Sequence, residues 1–382
     1  MSNKTLPTWI DIGVIPLINV CLAFFVSGLV ILLIGENPLE AVQYIITGAF
    51  GYSEGIGYTL YYTTNFIFTG LAVSVAFHAG LFNIGGEGQA YIGGLGVGLM
   101  CLALDSFMPW WALLPFAIIA GAAFGAAWAF IPAYLQAYRG SHVVITTIMF
   151  NFIASALMVY LLVNVLIEPG GMAPQTRSIA QSATLPSMQQ LFAAFGLEID
   201  NSPLNISIFV ALICCVLVWL LLWRTRLGYA IRMMGFNEQA AVYSGINTKK
   251  IIVITMCISG GMSAMVGINE VMGAQERVLL DFVAGAGFTG IAVSLMGRNH
   301  PVGIVIASLL FGALYQGGAE LSFEISSITR DLVIVIQGLV ILFCGALSLM
   351  IKPTIEKFFL RVTAKKASNK ISSEVAKEST DV

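Results

Sequence analysis

The chain has 382 residues, of which 58% are hydrophobic and only 10% are charged. Soluble domains carry about 25% charged residues, so this chain cannot cover a water-facing surface and its main solvent is expected to be lipid. Its formal net charge of -2 excludes the basic field typical of nucleic-acid binding. The six cysteines lack zinc or CxxC spacing and the three histidines are scattered, so we expect no metal and no cofactor bound by this chain.

Apolar runs of about 20 residues, the length that crosses a bilayer as a helix, recur along the chain. They predict an all-α integral membrane protein with about ten transmembrane helices. The expected spans are 14–34, 59–80, 89–105, 111–135, 143–167, 204–223, 250–273, 282–297, 301–319 and 331–351. The first run is long and lacks a cleavage-like end, which favours a spanning helix over a signal core. The short glycine-rich runs 89–105 and 282–297 could each be broken or re-entrant.

The placement of lysine and arginine predicts that both termini lie in the cytoplasm. The inside loops and tail then carry Lys4, Arg139, Arg224, Arg226, Arg232, Lys249, Lys250, Arg298, Lys352, Lys357, Arg361, Lys365 and Lys366. The outside loops carry only Arg177, Arg277 and Arg330. Residues 1–351 form the predicted transmembrane domain, with an external loop at 168–203 and an internal loop at 224–249. Residues 352–382 are expected to be a disordered cytoplasmic tail.

The spans suggest an internal duplication. Four spans within 59–167 correspond to four within 250–351, and one block starts outside while the other starts inside. This is the geometry of inverted-repeat halves, which places a substrate path where the halves meet. The shared features are short glycine-rich segments, Gly85–Gly98 and Gly285–Gly297.

Two short patterns imitate enzyme motifs. Gly51–Gly55 fits G-x-S-x-G but lies between two membrane spans, where a turn is the better interpretation. Gly285–Gly290 fits G-x-G-x-x-G without the alternating strands and helices of a dinucleotide site, which favours close helix packing through small residues. The chain contains no Gly-Lys pair and hence no P-loop, so any ATP must be bound by another subunit.

The segment Leu81–Gln89, with the sequence LFNIGGEGQ, joins two apolar spans. Its glycines let the backbone leave helical geometry, and the freed polar groups must line water or be buried in protein. Asn83, Glu87 and Gln89 would then bind a polar solute or brace the break. A charge at membrane depth is a functional candidate. The alternative is an ordinary polar loop in which Glu87 offsets a helix dipole.

Further polar residues follow His142. Thr147 and Asn151 are four residues apart and share a helix face, with Thr146 adjacent. This stripe could face a pore or could form hydrogen bonds between helices. Asn65, Asn269 and Glu270 are weaker candidates of the same type.

The internal loop is basic and continues from Arg224 to Lys250. Within it, Phe236–Tyr243 is predicted to be a short helix, with Asn237 near its start and Gly245 after its end. Such a helix could dock into a cytoplasmic partner, although a basic loop is also what the positive-inside rule requires.

Three runs together resemble the permease family of branched-chain amino acid, ribose and nucleoside ABC importers, and most resemble its nucleoside and simple-sugar branch. The runs are FNIGGEGQAYIGG, SHVVITTIMFNFI and RTRLGYAIRMMGFNEQAAVYSGI. The resemblance covers residues 14–351. Where this chain has Ile84–Gly93, the sugar permeases have a GGIDLSVG-like sequence, and this departure favours nucleosides over free pentoses.

The resemblance implies a fold similar to the vitamin B12 importer class and a bacterial inner-membrane location. It also implies a second permease, identical or related, and an external binding lipoprotein or periplasmic protein. A cytoplasmic ATPase, paired or with two P-loops, would bind ATP-Mg and supply the energy. By this likeness the residues that couple to the ATPase are Gly228, Arg232, Asn237, Ala240, Ala241 and Gly245. The expected translocation path comprises Asn83, Gly85, Gly86, Glu87, Gln89, Thr146, Thr147 and Asn151.

Two other classes of function stay open. An ion-gradient-driven secondary transporter of a small polar solute usually has charged residues at mid-span, which most of these spans lack. An intramembrane enzyme would need a nucleophile and a base, and the sequence offers no credible pair.

Overall fold

The structure is a computed structural model that describes residues 15–194, 196 and 199–345. The predicted tail at 352–382 and Lys4 lie outside this range. The described residues divide into two compact units, one formed by 15–39 with 334–345 and the other by the described residues of 40–333. The larger unit contains every predicted site residue.

The described residues form fourteen α-helices and one π-helical segment. Their bounds are α1 Ile15–Ile34, α2 Pro38–Phe50, α3 Ser53–His78, α4 Gly86–Leu104, α5 Trp110–Arg139, α6 Val143–Asn164, α7 Met188–Ala193, α8 Ser207–Arg224, α9 Arg226–Phe236, α10 Glu238–Tyr243, α11 Thr248–Ser263, the π segment Ile268–Ala274, α12 Ala286–Met296, α13 Pro301–Glu324 and α14 Arg330–Gly345. The all-α architecture is therefore confirmed.

Seven helical stretches in the described part of the chain are long and apolar enough to cross a membrane. The number rises to eight if Cys21–Ile34 and Pro38–Phe50 are counted as one broken span. The predicted run at 282–297 forms only the eleven-residue helix α12, with a length of about 16 Å that is half of a hydrocarbon core. The expectation of ten spanning helices thus stays a prediction.

Glycines allow the central helices to approach closely. A Cβ built on Gly93 of α4 would lie 2.1 Å from the Cβ of Ala264, just after α11. Gly125 of α5 and Gly260 of α11 have the same constraint, because a Cβ on Gly260 would lie 2.4 Å from the carbonyl oxygen of Gly125. Small residues therefore set the spacing of α4, α5 and α11, as expected for helices that associate in lipid.

Arg224 and Arg232 lie with His78 and His300 at one end of the larger unit, which we call the basic end. Here Trp223 at the end of α8 packs between His78 and His300, with ring centroids 5.3 Å away on each side. The hydroxyl of Ser74 donates to the carbonyl of Asn299 at 2.7 Å. The last turn of α3, the end of α8 and the start of α13 thus lie together.

The opposite end is covered by the segment that joins α6 to α8. Arg177 in this segment binds the carboxylate of Asp105, with an N–O distance of 2.7 Å. The guanidinium holds the pKa of Asp105 below its usual range. Ser53, at the start of α3, donates to Asp200 in the same segment. The Gly51–Gly55 pattern therefore forms the start of α3, which is hydrogen-bonded to the segment between α6 and α8.

The glycine contact gives a test of packing. We expect Gly260→Ala to destabilise the protein by about 1–3 kcal/mol, because the new methyl group would overlap a backbone oxygen. Gly261→Ala is the matched control, since its nearest neighbour would be 3.4 Å away. That variant should be neutral or more stable by up to about 1 kcal/mol. Thermal unfolding in detergent compares the two, and equal midpoints would contradict the packing.

Candidate functional site

The chain between α3 and α4 leaves helical geometry, and Asn83 organises the break. Its side-chain oxygen accepts from the backbone N–H of Gly85 at 2.9 Å and from Nε2 of Gln89 at 3.1 Å. Its amide nitrogen donates to Oε1 of Gln89 and to the hydroxyl of Ser259, each at 2.9 Å. Ser259 in turn donates to the carbonyl of Ala72 on α3. The side chains of Asn83 and Gln89 are almost fully buried.

Asn151 of α6 braces the same break from another side. Its side-chain oxygen accepts from the N–H of Gly88 at 2.9 Å, and its amide nitrogen donates to the carbonyl of Ile84 at 3.0 Å. One side chain thus satisfies a donor and an acceptor of the broken backbone, which membrane burial requires. Asn151 therefore belongs structurally to the LFNIGGEGQ segment.

Glu87 connects the first turn of α4 to the start of α12. Its carboxylate accepts from the N–H of Gly285 at 2.9 Å and from the N–H of Gly287 at 2.8 Å. The two helices touch here, because a Cβ on Gly287 would lie 2.2 Å from the backbone nitrogen of Glu87. The positive ends of two helix dipoles thus meet at one carboxylate. We call this contact the half-helix junction.

From the junction the two helices run toward opposite ends of the unit. Helix α4 leads to Asp105 and its Arg177 partner, whereas α12 leads to Asn299 at the basic end. The two glycine-rich segments that looked alike in sequence are therefore brought together at their N-termini. The interpretation of Gly285–Gly290 as a close packing element is confirmed.

Aromatic side chains lie beside the junction. The hydroxyl groups of Thr289 and Tyr315 are 2.9 Å apart. The ring of Tyr315 contacts Phe66 and Tyr62, with centroid distances of 4.9 Å and 5.7 Å. Phe288, the neighbour of Thr289, is about half exposed. An aromatic wall with hydroxyl groups therefore borders the junction.

A second buried polar network surrounds Glu270 in the π segment. The hydroxyl of Tyr61 and the amide of Asn65 each donate to Glu270 Oε1 at 2.5 Å. The amide of Asn269 donates to Asn65 at 2.9 Å, and Ser207 at the start of α8 donates to Asn269 at 2.7 Å. This network joins α3, the π segment and α8. Asn65, Asn269 and Glu270 were only weak candidates in the sequence, although a carboxylate in an apolar run is a signal in itself.

The predicted path residues are not all equivalent. Thr147 is buried, its hydroxyl donates to the carbonyl of Val143, and its Cβ faces Gly85. Thr146 donates to the carbonyl of its own helix at His142. The structure thus gathers most of the path set around the break and leaves Thr146 with hydrogen bonds inside α6.

The basic loop forms two helices instead of the single one expected. Helix α9 was not predicted. The short helix is confirmed as α10, with Asn237 as its N-cap and the Asn237 side chain accepting from the N–H of Ala240 at 3.0 Å. Gly245 follows with a φ of +79°. Phe236, the last residue of α9, and Tyr243, the last residue of α10, are 85% and 92% exposed. Large aromatic groups therefore project from this segment.

Comparison with known families decides the assignment. The family described as the branched-chain amino acid transport system / permease component matches residues 55–345. This range contains the break, the junction and helices α9 and α10. The chain belongs to this permease family.

Several known permeases are similar to this chain over most of their lengths. The chain is 35% identical to the guanosine ABC transporter permease of Bacillus subtilis, and the match covers 87% of this chain and 92% of the relative. It is 33% identical to the glucose ABC transporter permease of Haloferax volcanii, covering 89% of each. The nucleoside ABC transporter permease of Lactococcus lactis is 31% identical and 99% of each chain is covered. This protein is thus the multi-pass permease subunit of an ABC transporter.

The junction of the permease can be tested through Glu87. Replacement by glutamine would leave one amide N–H₂ facing a backbone N–H, so we expect Glu87→Gln to destabilise the permease by about 1–3 kcal/mol. Glu54→Gln is the control, because Glu54 is exposed on the first turn of α3. Thermal unfolding in detergent should show a lower midpoint for the first variant only. An unchanged midpoint would mean that the carboxylate does not hold the junction.

Proposed function

We propose that this permease carries nucleosides into the cytoplasm as one half of the pore of an ATP-driven importer. The observation that carries the proposal is the half-helix junction, where two helix starts converge on Glu87 in the interior of the unit. Discontinuous helices that meet in this way form substrate sites in membrane transporters. Two of the three relatives above are named for guanosine or nucleosides.

The chemistry of the surroundings supports a neutral polar solute with an aromatic portion. The break presents amide groups, and the wall presents Tyr62, Tyr315 and Phe288. Aromatic rings stack well on nucleobases, and hydroxyl and amide groups suit a ribose. Glu87 is engaged by backbone N–H groups, so we assign it to positioning the two helices. A simple sugar is the alternative solute, because the Haloferax relative is named for glucose.

The architecture we propose has about ten spanning helices in inverted halves, in the manner of the vitamin B12 importer class. The opposite directions of α4 and α12 support inverted halves. Both termini would lie in the cytoplasm, with 1–351 as the membrane domain, 168–203 outside and 224–249 inside. The collection of basic side chains at one end of the larger unit supports this orientation.

Energy would enter through α9 and α10. We propose that Gly228, Arg232, Asn237, Ala240, Ala241 and Gly245 shape a coupling segment that docks into a cytoplasmic ATPase, which holds ATP-Mg. Exposed aromatic groups at polar loops favour a protein contact, and Phe236 and Tyr243 fit this description. A second permease would complete the pore and an external binding protein would deliver the solute.

The proposed mechanism is alternating access. Motion of the ATPases would be transmitted through α10 to the ends of α3 and α11, and the paired permeases would rock around the junction. Asn83, Gly85, Gly86, Gln89, Thr147 and Asn151 would keep the break intact during this motion. Thr146 would lie beside the path.

Uptake by the assembled importer in proteoliposomes tests the substrate. We expect labelled guanosine to accumulate inside the vesicles only with external binding protein and with the ATPase and ATP inside. Unlabelled nucleosides should compete. Excess glucose should not compete. Glucose transport without nucleoside transport would reverse the substrate assignment. Uptake by the permease alone, driven by an ion gradient, would instead support a secondary transporter.

The cap of α10 tests the coupling. Asn237→Ala removes an N-cap that stabilises α10 by about 1 kcal/mol. This lowers the equilibrium ratio of ordered to frayed α10 about fivefold. We expect uptake per ATP hydrolysed to fall by a similar factor. Asn237→Ser is the matched control, because serine also caps helices and should keep coupling. Equal coupling in both variants would remove α10 from the mechanism.

A further inference from the structure

Helices α8 and α13 border an open apolar groove of about 490 Å³. Its walls include Leu212, Val216 and Trp219 from α8 and Val302 and Ile306 from α13. Val302 and Ile306 are more than 60% exposed. The groove therefore offers a long apolar surface on the outside of the larger unit, near the basic end.

A second cavity of about 300 Å³ continues the same seam. It is bordered by Trp223, His78, Arg232 and Asn299. Trp219 and Trp223 are one turn apart on α8 and share a face. His300 lines the groove and also packs against Trp223 at 5.3 Å. The apolar groove and the polar cavity thus adjoin at the Trp223–His300 contact.

The polar cavity contains a cation with one unsatisfied hydrogen-bond donor. The Nε atom of Arg232 is buried and has no hydrogen-bond partner among the described residues, and a buried donor of this kind points to a missing acceptor. His78 lies close enough to Arg232 and His300 to interact with both electrostatically. Arg224 adds a further guanidinium 5.3 Å from the ring of Trp219.

We propose that this seam binds an anionic phospholipid, with an acyl chain in the groove and the phosphate in the cavity beside Arg232. An apolar groove that leads to clustered cations matches the two parts of such a lipid. Basic pockets between membrane helices are known to take anionic headgroups, and tryptophans favour the depth at which headgroups meet acyl chains. This lipid site depends on the chain lying in a bilayer, and it does not depend on which solute the permease carries.

Lipid retention on the purified full-length permease tests the proposal. The protein is placed in nanodiscs with equal amounts of phosphatidylcholine and phosphatidylglycerol, and native mass spectrometry counts the lipids that stay bound. We expect the wild type to retain phosphatidylglycerol in preference. Arg232→Gln should weaken its retention about fivefold, the effect of about one cation near a headgroup.

The groove has a matched pair of variants on α8. Val216 lines it and Leu217 does not, although the two side chains are 57% and 56% exposed. Val216→Trp should fill the groove and reduce phosphatidylglycerol retention at least as much as Arg232→Gln. Leu217→Trp should retain the lipid. If Val216→Trp fails to fold, Val302→Phe narrows the same groove from α13.

Three outcomes would overturn the proposal. Equal retention of the two lipids by the wild type would remove the charge selectivity. Loss of phosphatidylglycerol in Arg232→Gln with full retention in both Val216→Trp and Val302→Phe would show that no acyl chain occupies the groove. Disrupted pairing of permeases in the groove variants, with lipid retention unchanged, would make the groove a subunit interface.

Discussion

Backbone N–H and C=O groups that leave a helix inside a bilayer must find partners within the protein, because lipid supplies none. Three side chains meet this demand at the break between α3 and α4 and at the start of α12. Asn83 and Asn151 satisfy groups of the break itself, and Glu87 satisfies the start of α12. The polar residues of the LFNIGGEGQ segment are thus first of all a substitute for backbone pairing. A rigid, irregular element at this position is what allows two helices to start face to face.

The lipid surroundings also explain why glycines lie where helices touch. Gly287 must lack a side chain because the backbone of Glu87 occupies the space a Cβ would need. Gly125 and Gly260 let α5 and α11 touch in the same way. Without a hydrophobic driving force between helices in lipid, stability depends on close van der Waals contact and on internal hydrogen bonds. The buried network around Glu270 adds hydrogen bonds of this second kind, and it fixes the π segment against α3.

The junction and the basic end are linked through continuous helices. Helix α3 passes the Glu270 network and the aromatic wall and ends at His78, beside α9. Helix α12 runs from Glu87 to the contact between Ser74 and Asn299. In the proposed mechanism, movement imposed on α9 and α10 would reach the junction through α3 and α12. A lipid held between α8 and α13 would lie against this route at Trp223, where it could bias the positions of both helices.

The sequence alone determined most of the long apolar helices, because a bilayer requires uncharged runs of about 20 residues. It also determined the short helix after Asn237, whose cap and terminal glycine are local signals. It could not reveal that α9 is helical or that Glu87 binds Gly285 and Gly287, some 200 residues away. Nor could it distinguish a pore stripe from a brace at Asn151. Those outcomes depend on which side chain meets which freed backbone group, and only the packing of distant helices decides that.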